Sequence, residues 1–517
     1  GAAEPNPHAA AGPWPPAAAR ANVARMLRLP QLDVPAFLAL ALLAGCASKP
    51  AADAYTPPSD TAQPNDAFAQ RFTGRALRVD YAHLGTRTEE HVAVSGYRLE
   101  GAWPGSRTQL VDTTNTGKYR FRVFDTATGE ELWSRGFCSI YGEWETSTDA
   151  KTMWQSFEES QRFPEPRAPV KLALEKRTDT GGFREIWRTE LDPQGRFVDR
   201  SALAPRGEVI SIVENGPAAT KVDLLFVADG YTAAQRAKFV ADATRNAHVL
   251  LETEPYKRHV QDFNVRALFV PVPESGVSNP RKGVWRASAF GLSFNAFDSD
   301  RYVLTFSDRT LREACAQAPY DALILLFNER KYGGGGIYNS WSTAASDSVF
   351  APYLVVHEFG HAFAGLADEY YSSQVAYEEF TPAGSEPWEP NVTALTDPAH
   401  LKWKDLVETG TPLPTAWNQA AYDELDLAYQ ARRKQLIDQK ASEDENEALM
   451  QEIGKTTRPL LAAEPYFGRV GAFQGAMYEA KALYRPEVDC IMFTRNPKTF
   501  CKVCERALER VIRSYVE

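Results

Sequence analysis

Residues 357–361 read His-Glu-Phe-Gly-His and carry the residue types that metal-assisted hydrolysis needs. They follow the apolar run Tyr353–Val356, which predicts a buried helix. Residues four apart on a helix share one face, so the imidazoles of His357 and His361 can reach one ion. Two imidazole nitrogens suit zinc and leave a position for water. Glu358 points elsewhere and is free to accept a proton from that water, which predicts a catalytic zinc site with Glu358 as general base.

The residues after this helix predict the third protein ligand. Gly365 can adopt the left-handed conformation that ends a helix, and two carboxylates, Asp368 and Glu369, follow it. The chain has only eight histidines, and the next after the motif is His400, so a carboxylate ligand is favoured. Asp368 is the predicted ligand. Glu369 is the alternative, or it instead anchors a ligating histidine. We expect one catalytic zinc ion.

Residues 71–205 predict an antiparallel β domain, a sandwich that is accessory to catalysis. Apolar and polar residues alternate, as in half-buried strands, in the segments Ala76–Tyr81, Tyr119–Val123, Val170–Leu174 and Phe183–Glu190. Turn signals separate these segments. The domain carries no constellation of catalytic residue types.

Residues 206–517 predict a mixed α/β domain that positions the metal motif. Buried strands are predicted at Val222–Ala228, Phe263–Val270 and Ala322–Phe327. A capping box at Thr232 and Gln235 opens an amphipathic helix that reaches about Thr253. Strands separated by helices imply an α/β sheet.

Two segments of this second domain are irregular in sequence. The glycine-rich run Tyr332–Gly336 leads into a predicted edge segment, Ile337–Thr343. An extended substrate could pair with an edge strand within Gly333–Thr343. An ordinary surface loop fits that stretch equally well. Residues 373–470 form a charged insertion whose stretch Tyr422–Ile453 is typical of a solvated surface helix, with a binding tail as the alternative.

The residues before the β domain are typical of processing signals. Residues 26–45 contain an apolar run too short to span a bilayer, as in a signal peptide. They lead into Cys46 through Leu-Ala-Gly, which resembles the lipobox of bacterial lipoproteins, so Cys46 is the expected lipidation site. A plain secretory signal is the alternative. Residues 1–25 are expected to be a non-native upstream extension, and residues 46–70 a flexible tether.

Bulk composition narrows the class of protein. The 517 residues are 44% hydrophobic and 24% charged, which predicts more than one domain with large cores. A formal net charge of −10 without a basic stripe excludes a nucleic-acid binder. Beyond Cys46, the cluster Cys490, Cys501 and Cys504 favours a disulfide in an exported protein. A second zinc site, incomplete with three cysteines, is the alternative.

Residues 357–371, HEFGHAFAGLADEYY, resemble the active-site signature of the immunoglobulin A metallopeptidase family, a secreted bacterial group related to the metzincins. Other blocks of that family resemble residues 222–232, 272–280 and 471–492. The β domain is similar to the domain that precedes catalysis in the family. The resemblance implies a metzincin-like zinc peptidase domain with ligands His357, His361 and Asp368, general base Glu358, and Met492 in the turn beneath the metal.

These observations predict a zinc-dependent peptidase, an endopeptidase, that acts on protein or peptide substrates. We expect a monomer held by its lipid anchor at the bacterial cell envelope, periplasmic or on the outer-membrane surface, or else secreted. The alternative is a non-catalytic surface-binding lipoprotein with a structural metal site, although such a site needs no base at Glu358. Immunoglobulin A is not implied as the substrate. Candidates for stabilising the oxyanion are Tyr370, Tyr371, Tyr478, Tyr484 and Arg485.

Overall fold

A computed structural model describes residues 67–372, 384–496 and 499–517. The predicted upstream extension, signal peptide and lipidation site at Cys46, with most of the tether, lie outside the described residues. Within the described ranges, no helix is long and apolar enough to cross a membrane.

Two four-stranded sheets form the N-terminal part of the chain. Their strands are β1 (Phe72–Gly85), β2 (Glu90–Ala102), β3 (Tyr119–Asp125), β4 (Glu131–Phe137), β5 (Gln155–Pro166), β6 (Val170–Arg177), β7 (Phe183–Leu191) and β8 (Val198–Asp199). The strand orders are β5-β1-β2-β8 and β4-β3-β6-β7, and only the β2–β8 pair is parallel. Two short helices, α1 (Ala67–Arg71) and α2 (Ile140–Trp144), flank them.

Both N-terminal sheets contribute to one hydrophobic core. Phe163 of β5 and Phe121 of β3 belong to different sheets, and their ring centroids are 5.8 Å apart. The predicted antiparallel sheets of the N-terminal domain are therefore confirmed. The sequence pattern located β1, β3, β6 and β7, and it missed β2, β4, β5 and β8.

A six-stranded mixed sheet forms the centre of the C-terminal part. Its strands are β9 (Glu208–Val213), β10 (Val222–Asp229), β11 (Phe263–Phe269), β12 (Ala322–Phe327), β13 (Gly334–Ile337) and β14 (Trp341–Ala345). The order is β13-β14-β12-β10-β11-β9, with β14, β12, β10 and β11 parallel and the two edge strands antiparallel. The three predicted strands are β10, β11 and β12, so the predicted mixed sheet is confirmed.

Six helices and a β-hairpin complete this part. They are α3 (Arg236–Leu251), α4 (Asp308–Cys315), α5 (Ala351–Ala364), α6 (Gln419–Asp438), α7 (Glu443–Ala462), α8 (Lys502–Val516), β15 (Phe473–Ala476) and β16 (Glu479–Arg485). The predicted capping box of Thr232 and Gln235 is present and opens a short 3-10 turn that continues into α3. Helix α5 packs against β13, β14 and α8.

The edge of the six-stranded sheet differs from the prediction. The segment Ile337–Thr343 is not the edge, because it contains the turn between β13 and β14, and β14 lies inside the sheet. The edge strand is β13, which lies within the stretch Gly333–Thr343 that the sequence left open between an edge strand and a surface loop, because glycine has low strand propensity. Strand β13 lies so close to α5 that its glycine positions leave no room for side chains. A Cβ at Gly336 would lie 2.4 Å from the carbonyl oxygen of Glu358 and 2.8 Å from the Cβ of His361.

The charged insertion forms a helical hairpin in its described residues, where the sequence predicted one solvated helix. Ser442 and Glu445 form a capping box that begins α7, so the acidic run lies in the first turn, where the helix dipole favours it. Helices α6 and α7 pack on each other. Tyr422 and Tyr429 of α6 are buried, so the hairpin contributes to the core as well as to the charged surface.

Candidate active site

Helix α5 and the turn after it bring the three predicted ligands together. The Nε2 atoms of His357 and His361 are 3.1 Å apart. Asp368 Oδ1 lies 3.1 Å from the first nitrogen and 3.2 Å from the second. In a tetrahedral zinc site with ligands at 2.0–2.1 Å, neighbouring ligand atoms are about 3.3–3.4 Å apart. The donor set therefore fits a single zinc-sized ion.

Hydrogen bonds on the far side of each imidazole ring orient the histidines. His357 Nδ1 donates to the carbonyl of Ile491 at 3.0 Å, and His361 Nδ1 donates to the carbonyl of Leu366 at 2.5 Å. With Nδ1 protonated, each Nε2 keeps its lone pair for a metal. Asp368 Oδ1 is buried and has no hydrogen-bond partner among the described residues. Three acceptor atoms that face one another in this way are the expected environment of a cation.

The turn after α5 returns Asp368 to the histidines. Gly365 has φ 63° and ψ 33°, the left-handed conformation that glycine adopts at helix ends, and its N–H donates to the carbonyl of His361 at 3.0 Å. Trp388 packs over the turn so closely that a Cβ on Gly365 would lie 2.7 Å from the indole. The hydroxyl of Tyr478 donates to Asp368 Oδ2, which fixes the carboxylate from its outer side.

Glu369 points away from the histidines. Asn391 Nδ2 donates to its Oε1 at 3.0 Å, and the thiol of Cys504 lies 3.3 Å from the same oxygen. The Glu369 N–H donates to the carbonyl of Met492 at 2.8 Å. Of the two carboxylates that the sequence left open, the structure places Asp368 at the histidines and Glu369 among the cysteines.

The disulfide that the sequence favoured is not formed. Cys490, Cys501 and Cys504 are buried free thiols. The sulfurs of Cys490 and Cys504 are 4.0 Å apart, about twice the length of a disulfide bond.

Glu358 lies beside the ligands at the wall that β13 forms. A Cβ on Gly334 would lie 3.1 Å from the Glu358 Cγ. The strand can therefore cover the Glu358 side chain because Gly334 has no side chain. Burial raises the pKa of the Glu358 carboxyl above its ordinary value, and the neighbouring His357 and His361 oppose that shift. A carboxylate with a raised pKa is suited to accept a proton and return it near neutral pH.

The ligands open into a cleft of about 170 Å³. Tyr370 and Tyr478, two of the oxyanion candidates, line it. Arg301 Nη2 donates to the hydroxyl of Tyr370 at 3.0 Å, and the hydroxyls of Tyr370 and Tyr478 are 3.3 Å apart. The cleft therefore presents a phenol held by an arginine next to the predicted ligand Asp368.

The other three oxyanion candidates serve the packing outside the cleft. The hydroxyl of Tyr371 donates to Asp423 at 2.7 Å. Tyr484 exchanges backbone hydrogen bonds with Thr393. Arg485 is fully buried and donates to backbone carbonyls.

Arg301 and Glu143 are among the cleft residues that sequence reasoning missed. Glu143 lies on α2, in the N-terminal domain, and the hydroxyl of Tyr302 donates to it at 3.4 Å. Neither residue stands in a recognisable motif, and both reach the site through long-range folding. The domain predicted to be an accessory one thus supplies part of the cleft wall.

Met492 is fully buried beneath α5. Its Sδ lies 3.3 Å from the position of a Cβ on Gly360, so the glycine inside the histidine motif makes room for it. The preceding residue, Ile491, provides the carbonyl that orients His357. The segment packs against α5, the helix that carries the two histidines.

Comparison with known proteins agrees with this architecture. Residues 210–512 match the family model described as IgA peptidase M64, and residues 67–188 match the model of the peptidase M64 N-terminus. No curated protein matches the chain. The first match alone covers more than half of the sequence, and the second places the family's N-terminal domain on the antiparallel sheets. The chain therefore belongs to the IgA peptidase M64 family, a family of metallopeptidases with a two-domain architecture.

Proposed function

We propose that the chain is a zinc-dependent endopeptidase with a metzincin-like catalytic domain. His357, His361 and Asp368 would hold the ion, and Glu358 would act as general base. The observation that carries the proposal is the convergence of three candidate ligand atoms, each within 3.2 Å of the others, beside the half-buried carboxylate of Glu358. When bound, zinc lowers the pKa of water and polarises the scissile carbonyl. The substrate class is protein or peptide, and the family name does not make it immunoglobulin A.

Glu358 performs the proton transfers of the reaction. It accepts a proton from the attacking water and returns it to the leaving amine. Both steps are favoured by a carboxyl group whose pKa is higher than that of a glutamate exposed to water. Burial raises the pKa of Glu358 in that direction.

Tyr370 is the residue best placed to stabilise the oxyanion. Arg301 donates to the Tyr370 oxygen, and Tyr478 gives its own hydrogen to Asp368. Tyr370 therefore keeps its hydrogen for the substrate. A hydroxyl held in place before the reaction is an effective donor to developing negative charge.

An extended substrate would pair with part of β13. Gly334 already exchanges hydrogen bonds with the carbonyl of Arg301 and the N–H of Val303, both at 3.2 Å. In an antiparallel pair the outward-facing backbone groups recur at every second residue, so Gly336 presents its N–H and C=O away from β14. A strand edge binds a peptide along its main chain and not by its terminus, which favours internal cleavage.

Export and lipid anchoring at Cys46 are part of the same proposal. They are supported by the short apolar run and the lipobox-like Leu-Ala-Gly-Cys sequence. We expect the full chain to fractionate with bacterial envelope membranes and the Cys46→Ala variant to be released from them. The lipid anchor would be contradicted if both proteins stayed with the membranes, or if both were released from them.

The test of activity is the digestion of a casein peptide mixture followed by mass spectrometry of the products. The wild type is expected to produce internal fragments, and Glu358→Ala none. Glu424→Ala, at an exposed position of α6, is the matched control and should cleave as the wild type does. Removal of single residues from peptide ends would indicate an exopeptidase. No cleavage by the wild type would favour a surface-binding lipoprotein with a structural metal.

A further inference from the structure

We propose that Glu369, Cys490, Cys501 and Cys504 form a second zinc site, structural in role, behind the active site. One ligand atom from each residue lies within 4.8 Å of the others, and all four residues are buried. The proposal does not depend on the peptidase activity, because none of these side chains reaches the cleft that the ligands of the first site open into.

The spacing of the donor atoms is that of metal ligands. The sulfurs of Cys490 and Cys504 are 4.0 Å apart, and the Cys504 sulfur lies 3.3 Å from Glu369 Oε1. With zinc–sulfur bonds of 2.3 Å, two thiolates of a tetrahedral site are about 3.8 Å apart. A disulfide would require roughly 2.0 Å. Glu369 also supplies the fourth donor that the three cysteines lack on their own.

The carboxylate of Glu369 has no cationic side chain in direct contact among the described residues. Its Oε2 is buried and has no hydrogen-bond partner in the described part of the chain. Arg485 lowers the pKa of Glu369 by its charge but does not bond to it. Its guanidinium donates to the carbonyls of Gln474, Gly475 and Val488. A buried carboxylate with an unsatisfied oxygen is costly unless a cation balances it.

Backbone N–H groups contact two of the three sulfurs. The Cys501 N–H donates to the sulfur of Cys490 at 3.2 Å, and the Cys504 N–H donates to the sulfur of Cys501 at 3.5 Å. Cys501 is the N-cap of α8, where the helix dipole stabilises negative charge. Thiolate ligands in a tetrahedral set select zinc over harder cations such as magnesium or calcium.

An ion at this position would brace the catalytic ligands. Glu369 follows Asp368 directly, and Cys490 precedes Ile491, whose carbonyl orients His357. The second ion would therefore join the turn that carries one ligand, the segment that supports another, and the N-terminus of α8.

Metal content and cobalt absorption spectra of the whole purified protein test this proposal. Elemental analysis is expected to find two zinc ions per wild-type chain, one in His361→Ala and one in Cys504→Ser. Cobalt-substituted His361→Ala should keep the strong near-ultraviolet thiolate-to-cobalt band, and Cys504→Ser should lose it. Cys138→Ser, at a half-buried cysteine outside the cluster, is the control and should keep both ions and the band.

Three results would overturn the second site. They are a wild type without the thiolate-to-cobalt band, a Cys504→Ser variant that keeps the wild-type metal content, and thiols of the cluster that react in denaturant only after reduction, as a disulfide would. The wild-type spectrum needs no variant, so the test stays decisive if Cys504→Ser does not fold. A failure of the first site gives a different pattern: one ion in the wild type, kept in His361→Ala and lost in Cys504→Ser.

Discussion

Helix α5 and strand β13 are in backbone contact at Gly336, and replacing this glycine with alanine should separate them. The new Cβ would lie 2.4 Å from the carbonyl oxygen of Glu358 and 2.8 Å from the Cβ of His361, where ordinary contact begins at 3.4 Å. Neither obstacle is the end of a flexible side chain, so no rotamer change relieves the clash. The strand or the helix must move by about 1 Å. That movement displaces the proposed general base Glu358 and the proposed metal ligand His361 together.

Two magnitudes follow for Gly336→Ala. Overpacking of this kind costs about 1–3 kcal/mol of stability. A displacement of about 1 Å at a catalytic site costs roughly 100-fold in rate. We therefore expect kcat/KM of Gly336→Ala for a peptide substrate to fall about 100-fold. Its melting temperature, measured by differential scanning fluorimetry, should be lower than that of the wild type.

Gly96→Ala is the matched control for that variant. Gly96 is also a strand glycine, in β2, and no heavy atom of the described residues lies within 4 Å of its Cβ position. Its stability should stay within about 0.5 kcal/mol of the wild type, with unchanged kcat/KM. Wild-type rate and melting temperature in Gly336→Ala would refute the close contact between strand and helix.

Two further predictions concern the ligand support and the N-terminal domain. Tyr478→Phe removes the hydroxyl that donates to Asp368 and should weaken zinc binding about 10–100-fold in a chelator competition, whereas unchanged affinity would contradict that support. Burial alone would lower the pKa of His83, but Glu159 and Glu90, both at 2.9 Å, raise it from 6.5 to about 9. The stability from these contacts is complete below about pH 6.5 and is lost as the pH rises to about 9. The difference in melting temperature between the wild type and His83→Gln should therefore narrow over that range, and a constant difference would count against the pairing.

The parts of the molecule that could be predicted are those whose structure is determined by residues close together in the sequence. Buried parallel strands read as continuous apolar runs, so Val222–Ala228 and Ala322–Phe327 were located within one residue. The two histidines converge because helix geometry places residues four apart on one face. Asp368 returns because Gly365 supplies the turn.

The parts that were missed depend on contacts between distant segments. Glu369 contacts Asn391 and Cys504, which are distant in sequence. No local sequence pattern predicts that this carboxylate will lie beside three cysteines. Arg301 lines the cleft and donates to Tyr370, but it comes from a distant segment that carries no motif. The sequence left Gly334–Ile337 open between an edge strand and a surface loop, because the strand depends on the close approach of α5, which outweighs the poor strand propensity of glycine.

The most direct test of the proposed peptidase is to strip the protein of metal with a chelator, return zinc in steps, and follow zinc content and peptide hydrolysis together. The account predicts that hydrolysis disappears with the metal and returns with it in the wild type. In Glu358→Ala the zinc should return without hydrolysis, and in His361→Ala the ion at this site and the activity should both be lost. Hydrolysis that survives complete metal removal, or that persists in Glu358→Ala, would contradict the central claim.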